Sequence, residues 1–194
     1  LDRTARWLDR CKKSHHRQDE QSLFGIVQGG TNLDLRERSV EQVCNIELPG
    51  YAIGGVAVGE SPEKIQEVVK FTANLLPAQK PRYLMGVGYE RDLVSAVASG
   101  MDMFDCVLPT RNGRNGHAFT RNGQLHIRNA CFKADTRVLE EGCTCATCAS
   151  GHSRAYLRHL YMSKEMLSGI LVSIHNIHPF QSLMIDIRLA IRDN

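Results

Sequence analysis

Short apolar runs alternate with amphipathic stretches over the first half of the sequence. The runs are LFGIVQ, YAIGGVAV, RYLMGV and DMFDCVL, and apolar residues at helical spacing follow each of the first three. Ser61 and Pro62 stand at the cap and first-turn positions of the second such helix, and Gly100 ends the third. Because strand and helix patterns alternate, the sequence predicts an α/β protein with parallel strands.

This alternation stops after DMFDCVL. The segment HAFTRNGQLHIR alternates around Asn122-Gly123, which predicts a β-ribbon. Two helical patterns, SRAYLRHLYMSKEMLSG and FQSLMIDIRLAIRDN, close the chain. Only about four βα strands can be counted, whereas a complete eightfold barrel needs about 250 residues. We therefore expect half of a (β/α)8 TIM-type barrel that carries an inserted ribbon subdomain.

The N-terminal segment LDRTARWLDRCKK has the pattern of an amphipathic helix with no capping residue before it. We therefore expect the chain to be part of a longer polypeptide. The segment differs from a signal sequence, and no stretch approaches the roughly 18 consecutive apolar residues of a membrane span. These features predict a cytoplasmic protein with no membrane association.

Composition adds two constraints. The net charge of +3 permits an RNA partner without requiring one. Three of the seven cysteines fall within six residues, which favours a reducing compartment and a metal over a disulfide framework. We interpret Cys11, Cys44 and Cys131 as packing residues.

The clustered cysteines in CTCATC are Cys143, Cys145 and Cys148. One tight loop can direct their thiolates at a single centre, and zinc prefers four tetrahedral sulfur or nitrogen ligands. The histidines that could supply the fourth ligand are His152, His159, His175 and His178. We favour His175, which precedes the last helical pattern, and place His178 second. A closed four-ligand site predicts one structural zinc ion per chain.

Polar and small residues stand at the predicted strand ends, where parallel βα proteins concentrate their functional groups. In order they are Gln28-Gly29-Gly30, Gly54-Gly55, Met85-Gly86 and Asp105. Paired glycines are common in simple turns, and a strand-end aspartate is often a helix cap. Together these residues predict an enzyme with a polar, ring-sized pocket and a carboxylate. Arg111 and Arg114 in PTRNGRNG suit phosphate or base contacts, although a solvated turn has the same composition.

Several long motifs resemble the tRNA-guanine transglycosylases, which exchange a guanine in tRNA for a queuosine precursor. The motifs are GIVQGG, YAIGGVAVGE, YLMGVG, DMFDCVLPTRNGRNG, CTCATC, SRAYLRHL and HNI, and the resemblance runs from about residue 20 to the end. It implies a barrel with an inserted zinc-binding subdomain, of which this chain is the C-terminal portion. The implied limits are 1–114 for the barrel part, 115–175 for the ribbon and zinc subdomain and 176–194 for a closing helix.

The resemblance also implies a role for each matching residue. Asp105 would attack C1′ of the ribose at the wobble position, and the incoming base would resolve the covalent intermediate, as in retaining glycosidases. The base would contact Gln28, Gly55, Val56, Ala57 and Met85, with Glu60 in support. The RNA would be held by Gly86, Val87, Gly88, Tyr89, Glu90, Arg91 and Asp92 and by the loop of Thr110, Arg111, Asn112, Gly113 and Arg114. His175 matches the histidine of the family's zinc site.

The implied partners are the tRNA anticodon loop, a small 7-deazaguanine base and a second copy in a homodimer. Val58 resembles the bacterial enzymes, which take 7-aminomethyl-7-deazaguanine. The family's general acid/base and base-reading aspartates have no match in these residues, so we expect no turnover by the chain alone. The alternatives are a non-catalytic zinc-containing tRNA-binding subunit of the same family, against which the retained Asp105 argues, and an unrelated barrel enzyme acting on a small molecule.

Overall fold

The computed structural model describes residues 1–193. The chain divides into two compact units, Leu1–Cys106 and Val107–Asn194. None of the helices described combines the length and apolar composition that crossing a bilayer requires.

The first unit alternates helices and strands. Its helices are α1 (Asp2–Ser14), α2 (Leu33–Cys44), α3 (Pro62–Leu75) and α4 (Glu90–Ala98), and its strands are β1 (Phe24–Val27), β2 (Gly50–Ile53), β3 (Arg82–Leu84) and β4 (Met103–Phe104). The strands form one parallel sheet in the order β1-β2-β3-β4. The predicted α/β fold with a parallel sheet is confirmed.

Local sequence explains where these elements begin. The Asn32 side chain accepts a hydrogen bond from the Leu35 amide at 3.0 Å and opens α2. Ser61 opens α3 in the same way, and Pro62 follows in the first turn, as predicted. Val27, Ile53 and Leu84, the last residues of β1, β2 and β3, are fully buried. Because the strand ends are packed rigidly in this core, the residues that follow them have fixed positions.

The second unit contains the β-ribbon and a helical layer. Its elements are α5 (Leu108–Arg114), β5 (His117–Thr120), β6 (Gly123–His126), a 3₁₀ turn (Ala130–Phe132), α6 (Ala146–Ala149), α7 (Arg154–Met162) and α8 (Met166–Arg192). Strands β5 and β6 pair antiparallel around Arg121 and Asn122, and Gly123 has a φ of 105°. The predicted ribbon is confirmed.

Two buried side chains of α8 bind the edge of β5. In an antiparallel pair, alternate residues direct their backbone groups away from the partner strand. The Phe119 amide donates to Asn176 Oδ1 at 2.9 Å, and its carbonyl oxygen lies 2.7 Å from His175 Nε2. Asn176 Nδ2 donates to the carbonyls of His117 at 2.8 Å and Pro109 at 3.0 Å. These side chains therefore satisfy backbone groups that β6 does not reach.

The segment expected as an RNA-binding loop at 110–114 instead forms the last five residues of the seven-residue helix α5. Pro109 stands in the first turn of α5, where its fixed φ favours helix. Gly113 is buried against α8, since a Cβ added there would lie 2.8 Å from the Ser173 amide nitrogen. Close contact with α8 therefore stabilises a helix in a stretch whose glycine and asparagines suggested a loop.

The two C-terminal helices also differ from the prediction. The first expected helix is interrupted after Met162, because Lys164 takes a left-handed φ of 59° before α8 begins at Met166. The second expected helix is the end of α8, which continues through Pro179, and His175 lies inside it. The buried face of α8 runs from Ser168 to Phe180, so packing on both sides of the proline outweighs its missing hydrogen bond.

The expected packing roles of Cys11 and Cys131 are wrong, because both side chains are exposed, whereas Cys44 is partly buried. Helix α1 buries only Leu8, and the 3₁₀ turn that contains Cys131 buries only Phe132. Each element therefore packs through one large apolar residue and leaves its cysteine at the surface.

Candidate functional site

The second unit brings three cysteines and one histidine together. The ligand atoms of Cys143, Cys145, Cys148 and His175 all lie within 4.8 Å of one another. Their sulfur atoms are 3.7, 3.4 and 3.4 Å from His175 Nδ1. A tetrahedral zinc ion with ordinary bond lengths separates sulfur and nitrogen ligands by about 3.6 Å. The four residues therefore fit one metal ion, and their donor set is one that zinc prefers.

Local structure prepares each ligand. Cys145 is the N-cap of α6, and its sulfur accepts a hydrogen bond from the Cys148 amide at 3.4 Å. His175 Nε2 donates to the Phe119 carbonyl, so Nδ1 carries the lone pair that a metal requires. Burial lowers the pKa of His175, which keeps the imidazole neutral.

The buried cysteines favour their neutral thiol form until a cation binds. Burial raises the pKa of the Cys148 thiol to about 12 and raises that of Cys143 as well. A bound divalent ion would stabilise the thiolates. His178, the second candidate ligand, lies 3.1 Å from Thr144 Oγ1 and outside this group. The choice of His175 is confirmed, and four protein ligands make a closed, structural site.

The first unit holds the strand-end residues. Gln28, Gly54, Met85 and Asp105 are each the first residue after strands β1 to β4 in turn. A Cβ added at Gly54 would lie 3.3 Å from Gln28 Nε2 and 3.5 Å from Met85 Sδ. A Cβ added at Gly55 would lie 2.5 Å from Gln28 Oε1. The structure therefore places an amide, a thioether and bare glycine backbone beside one another.

Asp105 lies at the same end of the sheet, and its side chain is exposed. Its Oδ1 accepts hydrogen bonds from the Tyr83 hydroxyl at 2.7 Å and from the Gly86 amide at 2.9 Å. The hydrogen bond to Asp105 is the main cause that raises the pKa of Tyr83 to about 12. Both bonds use Oδ1, so they hold the carboxylate in one orientation.

Tyr83 was missed by sequence reasoning. The available signal was its spacing, because Tyr83 and Met85 are two positions apart and therefore point to the same face of an extended segment. The sequence pattern places Tyr83 only within an apolar run.

The segment after Gly55 forms a constrained loop. Val56 is buried, Ala57 has a left-handed φ of 64°, and Val58 is exposed. The Val58 amide donates to Glu60 Oε2 at 2.8 Å. Hydrogen bonds from the amide of Glu60 itself and from that of Val58 lower the pKa of Glu60. An ionised Glu60 therefore holds a backbone conformation that alanine rarely adopts.

The expected RNA-binding residues lie in two segments with mixed exposure. Around the start of α4, the exposed ones are Gly86, Tyr89, Glu90 and Arg91, and the buried ones are Val87, Gly88 and Asp92. In α5, Arg111 and Arg114 are exposed, Thr110 and Asn112 are half-buried and Gly113 is buried. The exposed members are available for contact, and the buried ones shape the backbone beneath them. Their RNA-binding roles stay predictions.

Comparison with known proteins agrees with the motifs. The family model described as queuine tRNA-ribosyltransferase matches residues 1–194. Proteins named queuine tRNA-ribosyltransferase are 53% identical in Halothermothrix orenii, 52% in Cyanothece sp. and 49% in Bacillus subtilis, over 100%, 98% and 100% of this chain. The chain spans about half the length of these relatives, 52%, 50% and 51% respectively. The match of the family model over the whole sequence shows that the chain belongs to the queuine tRNA-ribosyltransferase family.

Proposed function

We propose that the polypeptide to which this chain contributes exchanges guanine at the wobble position of tRNA for a small 7-deazaguanine, with Asp105 as the nucleophile. The observation that carries the proposal is the Asp105 carboxylate itself. It is exposed, stands at a strand end and is oriented through Oδ1 by Tyr83 and Gly86. The proposal is supported by membership of a family whose described activity is tRNA ribosyl transfer.

Asp105 Oδ2 attacks C1′ of the ribose, and the bond from C1′ to the purine nitrogen breaks with its electron pair leaving on the guanine. The Tyr83 and Gly86 hydrogen bonds hold the carboxylate in line for attack, and they stabilise its charge when it is expelled in the second displacement. The ring nitrogen of the incoming base then attacks C1′ and expels the Asp105 carboxylate. Two displacements retain the configuration at C1′. Protonation of the leaving base and deprotonation of the incoming one are assigned to residues outside this chain.

The base site is proposed at the cluster beside Gly54. Gln28 offers both a donor and an acceptor to a ring edge, Met85 packs on the ring face, and the Gly55, Val56 and Ala57 backbone lies against its rim. The exposed Tyr89 and Arg91 are proposed to contact the RNA near α4, and Arg111 and Arg114 to contact it from α5. Cys143, Cys145, Cys148 and His175 would hold a zinc ion, which would cross-link the second unit and supply no chemistry to the reaction.

Several wider features belong to the same proposal. The four-stranded sheet is part of a (β/α)8 barrel, and the ribbon with its metal centre is inserted into it, with limits near 1–114, 115–175 and 176–194. The complete enzyme is a cytoplasmic homodimer that binds the tRNA anticodon loop. The chain alone is inactive, because the general acid/base lies elsewhere in the polypeptide.

Covalent trapping tests the assignment of Asp105. The zinc-loaded chain is incubated with tRNA, alone and with the remaining portion of a relative supplied in trans, and protein-linked RNA is measured on denaturing gels. We expect an adduct in the combined sample that Asp105→Asn abolishes. Asp102→Asn is the matched control, because Asp102 is an exposed carboxylate on the same segment that binds the Arg82 amide instead. Undiminished adduct in Asp105→Asn would refute the assignment, and no adduct in any sample would favour a non-catalytic tRNA-binding subunit.

A further inference from the structure

A buried arginine connects the two strand-end loops of the proposed base site. Arg36, in the first turn of α2, has no exposed surface. Its guanidinium donates to four backbone carbonyls, those of Gly30 at 2.9 Å, Val27 at 3.1 Å, Gly54 at 2.7 Å and Gly55 at 3.1 Å. The first two flank Gln28, and the last two form the glycine turn after β2. One side chain therefore fixes the backbone on both sides of the pocket.

This arrangement is unusual for a buried charge. Among residues 1–193 the Arg36 guanidinium forms no ion pair. The negative charge of Glu60, which lies farther away, raises the pKa of Arg36 but by less than burial lowers it. Burial lowers its pKa to about 10, so the side chain stays charged at neutral pH. Burying an unpaired cation is unfavourable unless hydrogen bonds compensate. The four carbonyl contacts provide this compensation, and they point to a specific positioning role.

The carbonyl contacts determine where the neighbouring amides point. In a planar trans peptide the N–H and C=O bonds point in opposite directions, and the described chain contains no cis peptide. Because the Gly54 and Gly55 carbonyls face Arg36, the Gly55 and Val56 amides face away from it. Within residues 1–193 these two amides have no hydrogen-bond partner. They form a pair of adjacent, free donors beside Gln28.

We infer that Arg36 is a positioning residue that holds the Gly55 and Val56 amides as a two-donor site for a ring carbonyl oxygen, which gives the pocket its preference for oxo-purines over amino-purines. The inference rests on the proposed function, because it assumes that the pocket takes a purine. Two N–H groups can both donate to a keto oxygen, and they repel the amino group of adenine, whose own hydrogens meet the same donors. Arg36 selects the base without touching it.

Base binding to the zinc-loaded chain tests this inference. Affinity for 7-aminomethyl-7-deazaguanine and for adenine is measured by calorimetry for the native chain, Arg36→Lys, Arg36→Met and Arg82→Met. Arg82 is the matched control, because its guanidinium also donates to backbone carbonyls, those of Leu76 and Gly100, but at the opposite end of the sheet. We expect both Arg36 variants to weaken deazaguanine binding about ten- to hundredfold and to reduce its ratio to adenine binding. Arg82→Met should leave both values unchanged.

A second measurement covers variants that fold poorly. In ¹⁵N-labelled native chain, deazaguanine should shift the Gly55 and Val56 amide resonances, and Arg36→Lys should move both resonances before any base is added. A purely structural role would lower thermal stability in the Arg36 and Arg82 variants alike and leave the deazaguanine-to-adenine ratio constant, which would overturn the inference. Native chain that binds no base, or binds it without shifting these amides, would also overturn it.

The adduct assay separates this inference from the proposed reaction. Adduct formation by the native chain, with base selectivity unchanged in Arg36→Lys, would leave Asp105 as the nucleophile and remove Arg36 from base selection. Lost selectivity in Arg36→Lys without any adduct would retain the binding role and remove the catalytic proposal.

Discussion

Asn176 offers the sharpest test of how the metal-bearing unit is held together. The side chain is fully buried and uses its oxygen and both amide hydrogens, binding Phe119, His117 and Pro109. In Asn176→Leu a side chain of similar size remains, but one backbone N–H and two carbonyls lose their partners. Each buried, unsatisfied group costs about 1 to 3 kcal/mol, and carbonyls tolerate this better than N–H groups. We expect a loss of about 3 to 5 kcal/mol in the free energy of unfolding of this unit.

Amide hydrogen exchange is the suitable assay. Trp7, the single tryptophan, lies in the first unit, so its fluorescence would report on the wrong part of the chain. Exchange is followed by NMR at saturating zinc, so that altered metal affinity does not enter the comparison. The Phe119 amide should lose protection by about two orders of magnitude or more, since each 1.4 kcal/mol is a factor of ten. Buried amides of α7 should lose protection in proportion to the global loss.

Gln181→Leu is the matched control, because Gln181 is an exposed amide side chain on the same helix. It should change the unfolding free energy by less than about 0.5 kcal/mol. The reasoning would be refuted if Asn176→Leu changed stability by no more than this control and left Phe119 protection intact. That result would mean that β5 finds other partners for its outer edge.

Three further predictions follow from particular contacts. Cys148→Ser should abolish stoichiometric zinc, measured by atomic spectroscopy on chain prepared with one equivalent, whereas Ser at the exposed Cys131 should retain it; zinc retained by Cys148→Ser would refute the four-ligand site. Gly113→Ala should lower the free energy of unfolding, measured by thermal denaturation, by about 1 to 3 kcal/mol, because its Cβ would lie 2.8 Å from the Ser173 nitrogen. The control Gly169→Ala, whose Cβ would lie 3.4 Å from Arg114 Cα, should be nearly neutral. Equal effects would contradict the close packing of α5 on α8. Because the pKa of Tyr83 is raised to about 12, its hydrogen bond to Asp105 stabilises the fold fully below about pH 10, and this stabilisation is lost as pH rises through about 12. Absorbance titration should show a lower tyrosine pKa in Asp105→Asn, and an unchanged curve would exclude the bond.

The parts of the fold predicted from sequence are those that local chemistry determines. Asn122 and Gly123 mark the ribbon, Ser61 and Pro62 mark the start of α3, and each apolar run gives a strand, three of the four being followed directly by a polar or small residue. Three thiols within six residues predict a metal site because a short loop leaves few ways to separate them. In each case the interacting groups are close in sequence, so spacing alone carries the geometry.

The missed features depend on contacts between distant segments. Helix α5 forms where a loop was expected because Gly113 packs on Ser173, 60 residues later. The Tyr83 hydroxyl reaches Asp105 because β3 and β4 pair with Tyr83 opposite Met103, a register that neither strand encodes alone. His175 lies within a continuous helix rather than before one, because buried residues on both sides of Pro179 maintain α8. Such tertiary contacts override local preference.

Buried helix side chains hold strand backbone in place in both units. They are Arg36 in the first unit and His175 and Asn176 in the second. In each unit a buried polar side chain on a helix binds backbone groups that neighbouring strands leave unpaired. Fixing a carbonyl also fixes the amide on the other side of the same peptide, so these side chains determine which donors a site presents. His175 does this while directing Nδ1 at the metal position, and Arg36 does it while directing two amides at the proposed base. Substitution of Arg36 should therefore alter ligand selectivity, whereas substitutions of exposed arginines such as Arg111 should alter affinity for the RNA backbone and its dependence on salt.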